Sequence, residues 1–249
     1  MSHVWMWPLI TLAGFGAGAI NSMVGSGTLL TFPTLIAFGF APITANVSNN
    51  LGLVPGAFAA FRGSRHELTG ATSRLTQMLG WSAGGGLLGA LALLLFPADS
   101  FTSVVPFLIL FGVALMLVQP IVIKFHRAEE VSRVSLPLRI GIFLTGIYGG
   151  YFGAAQGVIL IGLLTALGAE TLFRANAIKN ALAGTANLIA GVVFAFIAPV
   201  NWSIVLAISI GSTLGAWFGS RYGRKIPTDA YRALITVVGL IAAFRFWLA

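Results

Sequence analysis

The chain has no cysteine and very few acids: six Asp and Glu among 249 residues, against fourteen Lys and Arg. The missing thiols exclude disulfides, thiolate nucleophiles and cysteine metal sites. His3, His66 and His126 fall in terminal or loop segments with no metal-ligand spacing among them. Charge of either sign is absent from long stretches. Residues 1–61, 75–98, 100–123, 140–169 and 180–220 contain no Asp, Glu, Lys or Arg. Only 8% of the chain is charged, where a soluble globule carries about a quarter, so this surface is not built for water. A helix crosses a bilayer with roughly 20 apolar residues, and the charge-free stretches hold many such crossings. Barrel strands would alternate polar and apolar residues, which these do not. The expected fold class is an all-α polytopic membrane protein of about 8–10 membrane segments, short broken helices included.

The charge that is present falls unevenly. Basic residues cluster at Arg62–Arg74, Lys124–Arg139, Ala169–Lys179 and Arg221–Arg232, whereas the breaks at Phe40–Ala45, Pro97–Ser100 and Pro199–Trp202 have none. Placing the first set in the cytoplasm satisfies the positive-inside rule for every basic residue except Arg245. Both termini are then expected outside the cytoplasm of a multi-pass inner-membrane protein. Met1–Trp7 lacks a basic region ahead of its apolar stretch, so it reads as part of a first membrane segment, not a leader peptide. The net charge of +8 is thereby explained without nucleic acid, for which no folded soluble surface is left. The bilayer is the expected surrounding partner, and the oligomeric state stays open, a homodimer included.

Shifting the sequence by 130 residues brings two halves into register without a gap. Ala45–Asn50 falls on Ala175–Asn180, Ser26-Gly27 on Gln156-Gly157, Leu30 on Leu160, and the pair Gly85/Gly89 on Gly215/Gly219. Each half reads as two short segments followed by three longer ones. An odd number of crossings gives the halves opposite orientations, the inverted-topology repeat common in secondary transporters. The units are a first transmembrane repeat over 1–123, a cytoplasmic linker over 124–139 and a second transmembrane repeat over 140–249.

Residues 140–169 are too long for one crossing and too short for two. Their middle, Gly149–Gly157, is rich in glycine, as is Gly14–Thr28 in the first half. Each is expected to be a helix, a turn within the membrane and a second short helix. Irregular backbone at that depth survives only inside protein or along a wet cavity. The short helices starting near Gly27 and Gly157 would aim their N-termini at such a cavity, which suits an anion. Polar residues cluster nearby: Asn21, Gly25, Ser26, Gly27 and Thr28 at one turn, and Gln156 and Gly157 at the other. Asn46/Asn49/Asn50 and Asn176/Lys179/Asn180 sit at i, i+3 and i+4, so each set forms one stripe. Together they read as a substrate pocket rich in neutral hydrogen-bond donors with one cation, Lys179. For Lys179 the alternative is snorkelling to lipid headgroups; for the asparagines it is bonding between helices.

Every carboxylate lies in a loop or at a membrane edge, so no proton relay of the usual kind is visible. An anion leaving a cell that is negative inside gains roughly 2.3 kcal/mol per charge per 100 mV, which makes potential-driven anion efflux the best match to this inventory. No nucleophile–base pair and no long loop suggests an enzyme. No catalytic residue, metal or cofactor is expected.

These residues also carry a family resemblance. Gly14–Pro33, with Asn21, Gly25–Thr28 and Pro33, followed by Ala45–Asn49, resembles the sulfite exporter TauE/SafE family, as do Gly146 through Asn176 and Gly211–Leu248. The resemblance implies an exporter of small sulfur-containing oxyanions, such as sulfite or sulfonates. An anion channel and an importer of a related anion are the alternatives.

Overall fold

The computed structural model describes residues 5–68, 72–124, 134–223 and 228–248. Among these, ten α-helices follow one another: α1 Met6–Met23, α2 Thr28–Ala37, α3 Pro42–Ser64, α4 Thr72–Leu95, α5 Ala98–Lys124, α6 Leu136–Tyr151, α7 Gln156–Ala166, α8 Leu172–Ile197, α9 Trp202–Tyr222 and α10 Thr228–Leu248. No strand occurs among the described residues. Two shorter helices precede three longer ones in each half. Thr72–Leu95, Ala98–Gln119, Leu172–Ile197 and Trp202–Tyr222 are long and apolar enough to cross a bilayer. The outer surface fits that solvent, with Leu95, Phe107, Phe196, Leu206 and Phe244 exposed.

The helices extend into the expected loops, so Arg62, Arg74, Arg139 and Arg221 all lie within helices, and Pro137 sits in the first turn of α6. Much of the linker, with Arg127 and Arg133, lies outside the described residues, as do His3 and His126.

Small residues set the packing. α9 lies on α1, with Gly211 against Thr11 and Phe15, Gly215 against Phe15 and Gly219 against Ala19; none leaves room for a Cβ. α4 lies on α6 in the same way, with Gly85 against Phe143 and Gly89 against Ile147. Without a hydrophobic driving force between helices, close backbone approach supplies the association. α3 runs parallel to α9, with Gly52 at Ile208, Gly56 at Ser212 and Gly63 at Ser220. α4 runs parallel to α8, with Gly86 at Ala186 and the Ser82 hydroxyl donating to Leu182 O at 2.7 Å. At the centre, α3 and α8 cross in opposite directions: Leu51 meets Gly191, Ala57 meets Gly184, and Asn180 donates to Ser64 Oγ at 3.4 Å. The pairs α1/α9, α3/α9, α1/α2 and α2/α10 thus have counterparts in α6/α4, α8/α4, α6/α7 and α7/α5.

Candidate functional site

The two breaks in the helices position the site. α1 stops at Met23, and the next N–H groups fold back: Val24 donates to Ile20 O at 2.7 Å and Gly25 to the same oxygen at 3.2 Å. Gly25 then turns left-handed with φ of 92°, which glycine adopts at no steric cost. α6 ends in the same way at Tyr151. Phe152 and Gly153 both donate to Tyr148 O, at 2.9 and 3.0 Å, and Gly153 has φ of 76°. Gly25 and Gly153 are therefore equivalent, and they stand 128 residues apart, not 130.

This corrects the gap-free register expected from sequence. α2 and the loop behind it span 28–37 and 38–41, whereas α7 and its loop span 156–166 and 167–171. The second half thus carries one extra residue in each, and the 130-residue spacing holds only from α3 and α8 onward. Thr28, not Ser26, is the partner of Gln156. Gly157 is matched by Leu29, so its counterpart is not Gly27.

The turns touch. Gly157 N–H donates to Gly25 O at 3.1 Å, and a Cβ on either glycine would lie 2.5 Å from the Cα of the other. One of the first amides of α7 is therefore satisfied by the opposite turn. The aliphatic stem of Lys179 lies over both glycines, and its ammonium donates to Asn21 O, at the end of α1, at 2.6 Å. Lys179 is 1% exposed, so it does not reach the headgroups. No carboxylate lies within ion-pair distance of it among the described residues. Asn21 Oδ1 accepts from Gly27 N–H at 2.6 Å, which leaves the Asn21 amino group as what that side chain can offer a ligand.

Beside this crossing lies a cavity of about 30 Å³ between α3 and α8, room for about two water-sized groups. Of the residues expected in the pocket, Asn21, Gly25, Thr28, Gln156, Gly157, Lys179 and Asn180 line it. Ser26, Gly27, Asn46, Asn49, Asn50 and Asn176 do not. Ser26 Oγ turns away, 3.6 Å from Met116 Sδ on α5. Asn46 and Asn176 hold the ends of the broken helices: Asn46 Nδ2 donates to Tyr151 O at 2.9 Å, and Asn176 Nδ2 to Ser22 O at 2.8 Å. The amino groups of Asn46 and Asn176, read from sequence as ligand donors, each bond a helix end, while Asn46 Oδ1, Asn49 Oδ1, Asn50 Oδ1 and Asn176 Oδ1 are buried without partners.

Gly153 and Asn187 also line the cavity, and Leu53, Ala57, Ala60 and Ala183 form an apolar wall that sequence reasoning missed. The signal was there in part. Leu53, Ala57 and Ala60 continue along α3 at i, i+4 and i+7, the spacing of one helix face. The cavity is one-sided as well. Lys179 and Asn21 correspond to Asn49 and Gly149, neither of which lines it. At the edge of the second half, Glu170 is buried and paired with Arg74 at 2.8 Å and Arg174 at 3.6 Å, which ties the α7–α8 loop to α4.

The two broken helices thus cross around one buried cation, Lys179, with no carboxylate in ion-pair distance of it among the described residues. The family model described as "Sulfite exporter TauE/SafE" matches residues 10–246. The chain belongs to this family. It is 29% identical over 236 residues to a "Probable membrane transporter protein ORF9" of Sinorhizobium sp, covering 94% of this chain and 89% of that one. A "Probable membrane transporter protein" of Haemophilus influenzae is 28% identical, covering 94% and 91%. "Probable membrane transporter protein YfcA" of Escherichia coli K12 is 27% identical, covering 92% and 85%. This TauE/SafE protein is accordingly a multi-pass membrane transporter and not an enzyme.

Proposed function

We propose that this TauE/SafE protein exports small sulfur-containing oxyanions, sulfite or sulfonates, by alternating access at the Lys179 cavity. The observation that carries the reading is Lys179, a fully buried ammonium whose one protein partner among the described residues is the Asn21 carbonyl. A charge in that setting is costly unless something compensates it, and a bound anion is the missing counter-ion. The Asn21 amino group, the Thr28 hydroxyl and the Gln156 amide stand around the same space to complete its hydrogen bonds.

The antiparallel crossing of α3 and α8 supports two inverted repeats, because these helices hold equivalent places in their halves. The positive-inside rule supports an inner-membrane protein whose two termini lie outside the cytoplasm. With Lys179 fixed in the protein, the anion carries the moving charge, so an inside-negative potential drives it outward by roughly 2.3 kcal/mol per 100 mV.

Proteoliposomes loaded with sulfite and clamped by a potassium diffusion potential test this. Inside-negative potential should speed efflux and inside-positive potential slow it. Flux that ignored the potential would contradict the reading. A channel is the competing reading, and it would show neither saturation nor acceleration by anion on the far side.

A further inference from the structure

A second opening lies apart from the Lys179 cavity, on the outer face of the bundle where α3 and α9 end side by side. It is an open groove of about 570 Å³ lined by Ala59, Arg62 and Gly63 of α3 and by Thr213, Leu214, Trp217 and Ser220 of α9. The groove exists because small residues of α3 meet a larger side-chain row on α9. Gly63 abuts Ser220 so closely that a Cβ there would clash, while Leu214 and Trp217, each 55% exposed, stand out as its wall. The charged groups gather at one end, with the Thr213 hydroxyl the polar group further along the groove. Arg62 sits at the last turn of α3, and Arg221, in the last turn of α9, stacks its guanidinium over Trp217 and Tyr222, 5.8 Å from each ring centroid. Neither arginine has a carboxylate partner among the described residues.

We propose that this groove holds an anionic phospholipid, with an acyl chain between α3 and α9 and the phosphate at Arg62 and Arg221. The polarity of the groove matches that ligand along its length. A soluble phosphate would use the arginines and leave the Leu214–Trp217 wall empty. A second copy of the chain docking here about a two-fold axis would gather two arginines from each copy in one interface, with no carboxylate partner for them among the described residues. A zwitterionic lipid would fill the apolar part and gain less from the guanidinium groups. The stacking on Trp217 holds Arg221 in place beside the groove and limits the ordering that binding demands.

Native mass spectrometry of the purified full chain with phosphatidylglycerol, phosphatidylcholine or glycerol 3-phosphate tests the assignment. Phosphatidylglycerol should be retained in preference to phosphatidylcholine, and glycerol 3-phosphate should not displace it. Arg62→Ala and Arg221→Ala should each lower retention about fivefold, the order that one basic residue contributes beside an anionic surface. Arg65→Ala, exposed in the following 3-10 turn and outside the groove, should leave it unchanged. Ala59→Phe keeps both arginines and fills the groove, so it should displace the lipid as well. Equal retention of the two lipids, displacement by glycerol 3-phosphate, or an equal loss in Arg65→Ala would overturn the proposal. So would a dimer whose formation, not lipid, protects the groove.

Discussion

Asn46 and Asn176 each donate their amide hydrogens to a carbonyl at the end of the other half's broken helix. Such an end leaves carbonyls without intrahelical partners, and in a membrane interior water is not there to take them. These two side chains therefore hold the breaks together, and neither lines the cavity. Asn46→Ala and Asn176→Ala should each lower stability by about 1 kcal/mol, within the span measured for polar contacts between membrane helices. Thermal melts in detergent check this, and anion affinity measured on the folded fraction should change little. The sequence was informative about which polar residues lie inside, but silent about which groups they spend on the backbone. Neither an asparagine stripe nor its spacing says whether an amide points at a cavity or at a helix end. Lys179 posed the same ambiguity, since its position near Arg174 suited a snorkelling side chain equally well. Only the crossing of the two turns, which covers its stem, decides for burial.

The turns are the elements on which the site hangs. Gly25 and Gly157 meet with no space for a side chain, whereas a Cβ on Gly153 would meet only Gly149 O, at 3.1 Å. Gly157→Ala should force the two turns apart, destabilise the protein by about 1–3 kcal/mol as overpacking does, and abolish transport. Gly153→Ala strains its left-handed backbone by about 1–2 kcal/mol but leaves the crossing intact, so residual transport should survive in the folded fraction. Flux normalised to folded protein separates the two variants. Glycine clustering made the existence of both breaks legible. It did not reveal their register, because the two-residue slip hides in α7 and the loop at 167–171, where apolar residues match at either spacing.

At the scale of the molecule, hydrophobic runs and missing charge sufficed to read an all-helical membrane chain of about 8–10 segments, and ten α-helices stand among the described residues. Their packing partners were beyond reach, since GxxxG-like pairs such as Gly85/Gly89 announce a close contact without naming the helix it meets. The proposed inverted topology makes a prediction for which this chain is well suited, having no native cysteine to remove. Cysteines introduced at exposed positions Arg65 and Arg221 should react with an impermeant maleimide only from the cytoplasmic side. Those at Asp99 and Ser203 should react only from the opposite side. Labelling of Arg65 and Asp99 positions from the same side would rule out the topology.

Lys179 remains the residue on which the transport reading stands or falls. Lys179→Met removes a buried ammonium that has no carboxylate partner among the described residues, and replacing buried ionic groups by apolar ones is often neutral or stabilising for the fold, so the variant should melt at or above the temperature of the parent. Sulfite binding to the purified protein, followed by isothermal calorimetry, should weaken at least about tenfold, corresponding to ~1.4 kcal/mol of lost affinity. A folded Lys179→Met protein that binds sulfite as tightly as the parent would contradict the assignment of this cavity as the anion site.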